Sequence, residues 1–215
     1  MKIFFALFFL LAVMLAVYPF IFPPEDSEPL TGLPWQIEMQ PDGSIRVFGM
    51  HIGSSRLSDA IENLGNDMEL AIIATAEEDG NLEMYYGHYK AGLLSGKLVL
   101  QTRPDVRDIK NWRENAVKSE YMASGKAKKY FLSVEDLPRV LDETITGATF
   151  IPAVNLDDAV IRARFGEPAQ LLESAGVTHY LYPDKGLDIV LSESSKEVFQ
   201  YVSPGDFQQL MAPLK

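Results

Sequence analysis

The chain has 215 residues, a net charge of −11 and no cysteine. The lack of cysteine removes disulfides, thiol nucleophiles, cysteine-ligated metals and a lipid-modified cysteine anchor. The acidic balance argues against nucleic acid as a partner, because holding a phosphate backbone needs a basic surface.

Met1-Lys2 precedes Ile3 to Phe22, twenty residues without a charge. At about 1.5 Å per residue this run reaches roughly 30 Å, the thickness of a bilayer core. The sequence therefore predicts a transmembrane helix over residues 1–22, with membrane contact through residues 3–22. Val17 to Pro24 offers no small-x-small cleavage site, which favours a signal-anchor over the competing reading, a cleaved signal. Lys2 before the run and Glu25, Asp26 and Glu28 after it place the N-terminus in the cytoplasm and the body outside. The expected location is the cell inner membrane, single-pass, with a periplasmic soluble domain. Pro19, Pro23, Pro24, Pro29 and Pro34 predict a stiff stalk over residues 23–34.

Residues 35–102 read as a first α+β repeat. Trp35 to Gln40, a Pro41-Asp42-Gly43 turn and Ser44 to Met50 predict a β-hairpin. Ser54-Ser55 supplies a helix cap, Leu57, Ala60, Ile61 and Leu64 follow at helical spacing, and Gly65 closes the helix. A second short helix is expected over residues 67–74. The acidic turn from Glu77 to Asn81 then leads into two paired strands, 82–89 and 93–101. That turn lacks the spaced ligands of a calcium loop and reads as a solvated hairpin.

Residues 103–147 read as a basic helical connector. Residues 101–132 hold 8 basic and 4 acidic side chains, against 5 and 13 before them and 6 and 13 after. A helix is expected from Asp105 to Tyr121, with Arg103, Arg107, Lys110, Glu114 and Lys118 along one face at i+3 and i+4 steps. Arg107 and Lys110 are candidate contacts for acidic partners or anionic lipid heads. The alternative is a solvated face on which Glu114 pairs with Lys110 or Lys118. Ser133 to Asp142 adds a further short helix.

The order of elements recurs in residues 148–215, a second α+β repeat. Asn155 caps a helix through Leu156, Ala159, Val160 and Ala163 that ends at Phe165-Gly166, and Glu167-Pro168 starts a second short helix through Glu173. Strands 177–182, 187–191 and 197–202 follow, then a short C-terminal helix after Ser203. Gly65 matches Gly166, Gly80 matches Gly176, Tyr85-Tyr86 matches Tyr180 and Tyr182, and Gly92-Leu93 matches Gly186-Leu187. This order-preserving match predicts a duplicated unit and an α+β fold of two tandem helix-helix-antiparallel-sheet units.

The segment Phe165-Gly166-Glu167-Pro168, a second short helix, His179-Tyr180-Leu181-Tyr182, Gly186-Leu187 and the Val198-Phe199 strand resembles the BamE/SmpA-like envelope lipoproteins. In tandem it resembles the architecture of β-lactamase inhibitory protein. The resemblance implies two helices on a three-stranded antiparallel sheet, an accessory role in envelope assembly, and a protein partner held on an open sheet surface. The chain departs from the lipoproteins in its apolar N-terminus and from the inhibitor in lacking disulfides.

Catalytic candidates are few. There is no Gly-x-Ser-x-Gly elbow and no Ser-x-x-Lys motif. His51 lies near Ser54 and Asp59, although Ser54 is also a turn and cap residue. His88 and His179 fall on comparable strands of the two halves, and a continuous sheet would bring them near each other. No metal site and no cofactor are expected. Tyr85, Tyr86, Tyr180 and Tyr182 are the preferred binding residues, since tyrosine on an open sheet face anchors protein or glycan surfaces. Good strand propensity alone would also place tyrosine there. The sequence reading is thus a membrane-anchored, extracytoplasmic, non-catalytic interaction module, the alternative being an envelope hydrolase or small-ligand sensor with a histidine-centred site.

Overall fold

The computed structural model describes Met14 and residues 31–214 except 93, 175, 193 and 194. From Thr31 onward the chain forms one compact unit. It opens with a small sheet of β1 (Glu38–Met39), β2 (Ile45–Val47) and β3 (Met50–His51). Asp42 builds the first turn by accepting the Ser44 N–H at 3.0 Å, the usual reason for aspartate in such a loop. The second turn is Phe48-Gly49, with φ of 53° and 78°. Two positive φ values mark a type I′ hairpin turn, a conformation phenylalanine seldom takes. Phe48 is held there by burial, its ring 5.2 to 5.7 Å from those of Tyr201, Tyr89 and Phe150.

The remaining strands form one antiparallel sheet. They are β4 (Glu69–Thr75), β5 (Asn81–Ala91), β6 (Leu94–Thr102), β7 (Lys118–Tyr121), β8 (Ala127–Phe131), β9 (Ile145–Pro152), β10 (Gln170–Ser174), β11 (Val177–Tyr182), β12 (Leu187–Leu191) and β13 (Val198–Val202). Their order is β10-β11-β12-β13-β9-β6-β5-β4-β8-β7, ten strands in all. The helices are α1 (Leu57–Leu64), α2 (Val106–Glu114), α3 (Leu137–Val140), α4 (Asp158–Phe165) and α5 (Phe207–Met211).

Alternation along the strands separates two faces. Leu82, Met84 and Tyr86 of β5, Leu98 and Leu100 of β6, Phe150 of β9, Ile189 of β12 and Phe199 of β13 enter a single core. That core also takes Leu57 and Ala60 of α1, Ile109 and Trp112 of α2, Val140 of α3, Ile161 and Phe165 of α4, and Ile45, Val47, Phe48 and Met50 of the small sheet. These elements therefore cover one face, the helix face. Phe207 of α5 and Leu181 of β11 are buried apart from that core.

This architecture corrects the tandem helix-helix-sheet expectation. The segments read as second helices, 67–74 and 167–173, form β4 and β10 instead. Leu70-Ala71-Ile72-Ile73 of β4 favours a helix by composition only weakly, and β4 gains backbone partners on both sides, from β5 and β8. The connector helix stops at Glu114, and residues 118–121 form β7. Strands of both halves join in one sheet, because β6 pairs with β9 from Gly96↔Pro152 to Thr102↔Ile145. The two helices on a three-stranded sheet implied by the envelope-protein resemblance are not formed.

A smaller correspondence does recur. α1 and α4 end on Gly65 (φ 88°, ψ 179°) and Gly166 (φ 84°, ψ −174°), a backbone that only glycine adopts without strain. The Tyr86 hydroxyl donates to the Gly65 carbonyl at 3.0 Å, and the Tyr182 hydroxyl to the Gly166 carbonyl at 2.9 Å. In each half a strand tyrosine thus satisfies a carbonyl left over at a helix end.

The membrane reading is also corrected. Among the described residues no helix is long and apolar enough to cross a membrane. The span expected over residues 3–22 lies outside the described residues, apart from Met14, and the transmembrane, signal-anchor and single-pass inner-membrane assignments are withdrawn. The end of the expected stalk belongs to the core. Leu33 is 9 % exposed, and the Gly32 and Pro34 carbonyls accept the Tyr89 and Tyr201 hydroxyls at 2.8 and 3.0 Å.

Candidate functional site

Of the four candidate tyrosines, three are core residues. Tyr86, Tyr180 and Tyr182 are each 4 % exposed on the helix face, where Tyr180 donates to Asp158 at 2.7 Å. Burial pushes all three phenols up to about 12, so they remain hydrogen-bond donors across the ordinary pH range. Tyr85 points the other way and is half-buried on the open face.

That open face has a continuous row. The register links Glu69 to Tyr85, Val99, Thr149, Gln200, Asp188, Leu181 and Gln170, one residue from each of eight strands. Toward β10 the row is closed, with Leu181 and Asp188 each 1 % exposed. At its centre Thr149 is buried at 9 % exposure, and on either side of it Val99, Tyr85 and Gln200 are half-buried.

The histidines do not assemble. β11, which carries His179, and β5, which carries His88, are separated by β12, β13, β9 and β6, about 24 Å at ordinary strand spacing. His88 is exposed. His179 is buried, its Nδ1 2.8 Å from Asp188 Oδ2. Burial raises the Asp188 carboxyl above the usual carboxylate range, against the lowering effect of the His179 hydrogen bond. Asp188 Oδ1 and Glu197 Oε2 are buried oxygens without a hydrogen-bond partner.

His51 does meet a serine and an aspartate, but they are Ser44 and Asp42. Its Nε2 contacts the Ser44 hydroxyl and lies 3.5 Å from Asp42 Oδ2. Ser44 in turn donates to Asp42 Oδ1 at 2.5 Å, and with the Ser44 N–H holds that carboxyl below the usual range. In a catalytic triad the carboxylate engages the other ring nitrogen. Here both groups meet Nε2, which is turn chemistry. Ser54 serves the backbone, donating its N–H to the His51 carbonyl at 3.1 Å. Among the described residues no group of three or more histidines and carboxylates is placed to hold a metal.

The basic stripe of α2 is largely answered from within the molecule. Arg107 folds back on its own helix cap, Nε 3.2 Å from Asp105 Oδ1. Lys110 lies 3.5 Å from Asp79, and Arg113 donates to the Asp79 carbonyl at 2.7 Å while stacking over Tyr130. The acidic turn at residues 77–81 thus docks against the basic helix, a pairing invisible to a reading that treated each as a separate surface feature.

A hollow that the sequence reading missed lies at the corner where β5, β6 and β9 meet. It encloses about 370 Å³ and is lined by Gly87, His88, Lys90, Ser95, Gly96, Lys97, Ile151, Pro152, Ala153 and Lys196. A bulge between Tyr86 and Tyr89 opens it, and the Tyr85 ring stands over Gly87. Lys90 and Lys97 on one hairpin were its only local signal; Lys196 is distant in the chain.

No protein-family model, no curated protein and no solved structure matches this chain. The functional reading therefore rests on the geometry.

Proposed function

We propose that this protein is a non-catalytic interaction module that holds a folded protein partner on the accessible part of its open sheet face, around Tyr85, Val99 and Gln200. The observation that carries this reading is the cross-strand row itself. It sets an aromatic ring, aliphatic groups and amide-bearing side chains side by side on a rigid hydrogen-bonded frame, opposite the face that α1, α2 and α4 cover. A half-buried tyrosine among such neighbours provides large contact area at low entropic cost, the usual composition of a protein-binding centre.

The test uses a photo-crosslinking residue placed at Val99 or, for comparison, at Val106, which is 53 % exposed on α2. The expected result is a discrete adduct from position 99 that is absent from position 106 and is lost on Tyr85→Ala, with an unchanged circular dichroism spectrum. The same adducts from both positions, or adducts from 106 alone, would overturn the reading.

A further inference from the structure

The corner hollow has a composition at odds with the rest of the chain. The protein holds 30 acidic and 19 basic residues, yet among the described residues no carboxylate lines this hollow, while His88, Lys90, Lys97 and Lys196 do. Lys196 reaches the hollow with its Nζ fixed by neutral acceptors, the Ala153 carbonyl at 2.9 Å and Asn155 Oδ1 at 2.5 Å. Its charge is therefore positioned, and among the described residues no carboxylate pairs with it. Lys97 pairs in register with Ile151, and Gly96 with both Tyr89 and Pro152, so the cationic groups stand beside an apolar wall.

That wall is made by Ile151, Pro152 and Ala153 together with Gly87 and Gly96. Its volume falls at the small end of ligand sites, roughly 300–1,000 Å³. A phosphate or acetate would satisfy the lysines and leave the wall unused. An apolar amine would meet the wrong charge. From these features we infer that the hollow binds a small amphipathic carboxylate, its head group on the lysines and its short acyl or aryl tail against Ile151 and Pro152. The site does not depend on the protein-partner reading.

The test is titration of the full-length protein with octanoate, followed by amide chemical shifts, beside octylammonium and acetate. Octanoate should move the resonances of Gly87, Lys97 and Ile151 and bind at least tenfold more tightly than either comparison compound. Lys97→Glu should weaken octanoate at least tenfold, and Lys97→Arg should restore it. Equal binding of octylammonium, no response to octanoate at millimolar concentration, or full binding by Lys97→Glu would each overturn the assignment. Loss of octanoate binding in Lys97→Glu with the position-99 adduct intact would show that the two sites are separate.

Discussion

Asp188 shows how one buried group turns burial into pH dependence. Desolvation holds its carboxyl above the ordinary 3.8, with the His179 contact acting in the opposite sense. In the unfolded chain the carboxyl ionises first as pH rises. Between 3.8 and the raised folded value the native state therefore binds more protons, and stability falls across that window. Below 3.8 both states are protonated and this loss is absent. Asp188→Asn removes the ionisation. The unfolding free energy of the variant relative to the parent, from urea denaturation between about pH 3 and pH 7, should rise through the window and then level off. A flat difference would mean that the buried carboxyl titrates normally. Other raised carboxyls, such as Glu83, cancel in the comparison because both proteins carry them.

At the level of elements, Gly96 sets the closeness of β6 and β9. A Cβ there would lie 2.4 Å from the Ile151 carbonyl oxygen and 2.5 Å from the Phe150 ring. Neither backbone nor buried ring can yield cheaply, so Gly96→Ala should cost about 1–3 kcal/mol in chemical denaturation, as overpacked cores do. An unchanged midpoint would show that the two strands separate freely. The same elements show what was readable in advance. The α1 and α4 helices with their closing glycines, the hairpin around Pro41-Asp42-Gly43, and strands near 82–89, 93–101, 177–182, 187–191 and 197–202 carry local signals that agree with their tertiary setting, although the N-caps are Arg56 and Asp157 rather than Ser54-Ser55 and Asn155. β4 and β10 do not. Leu70-Ala71 and Leu171-Leu172 carry no strand-specific signal of their own, and their strand state comes from pairing, of β4 with β5 and the distant β8 and of β10 with β11. The candidate site was less legible still. The match of Tyr85-Tyr86 with Tyr180 and Tyr182 does not say which face of the sheet each tyrosine takes, and the structure puts Tyr86 and Tyr182 on helix-end carbonyls. Their spacing from Gly65 and Gly166 was the missed sign that they seal helix ends.

For the molecule from Thr31 onward, the sheet has no natural seam. Pairing of β6 with β9 and of β9 with β13 makes the strands of both halves one hydrogen-bonded frame over one core. Trp112 enters that core from α2, while Trp35 packs edge-on to Phe165 of α4 at 6.4 Å. Single-tryptophan variants, Trp35→Phe and Trp112→Phe, should therefore report coincident urea transitions. Separated midpoints would show that the halves melt independently. The position of β9 has another consequence, felt as the chain is made. β9 is the central link of the sheet yet arrives after β6, β7 and β8. Until Ile145–Pro152 has been synthesised, roughly 2–10 s after Thr102 at ribosomal speed, the long β6 edge stands without its neighbour. Nascent chains that stop short of residue 145 therefore present an unpaired template to one another, whereas those that pass residue 202 close it from within.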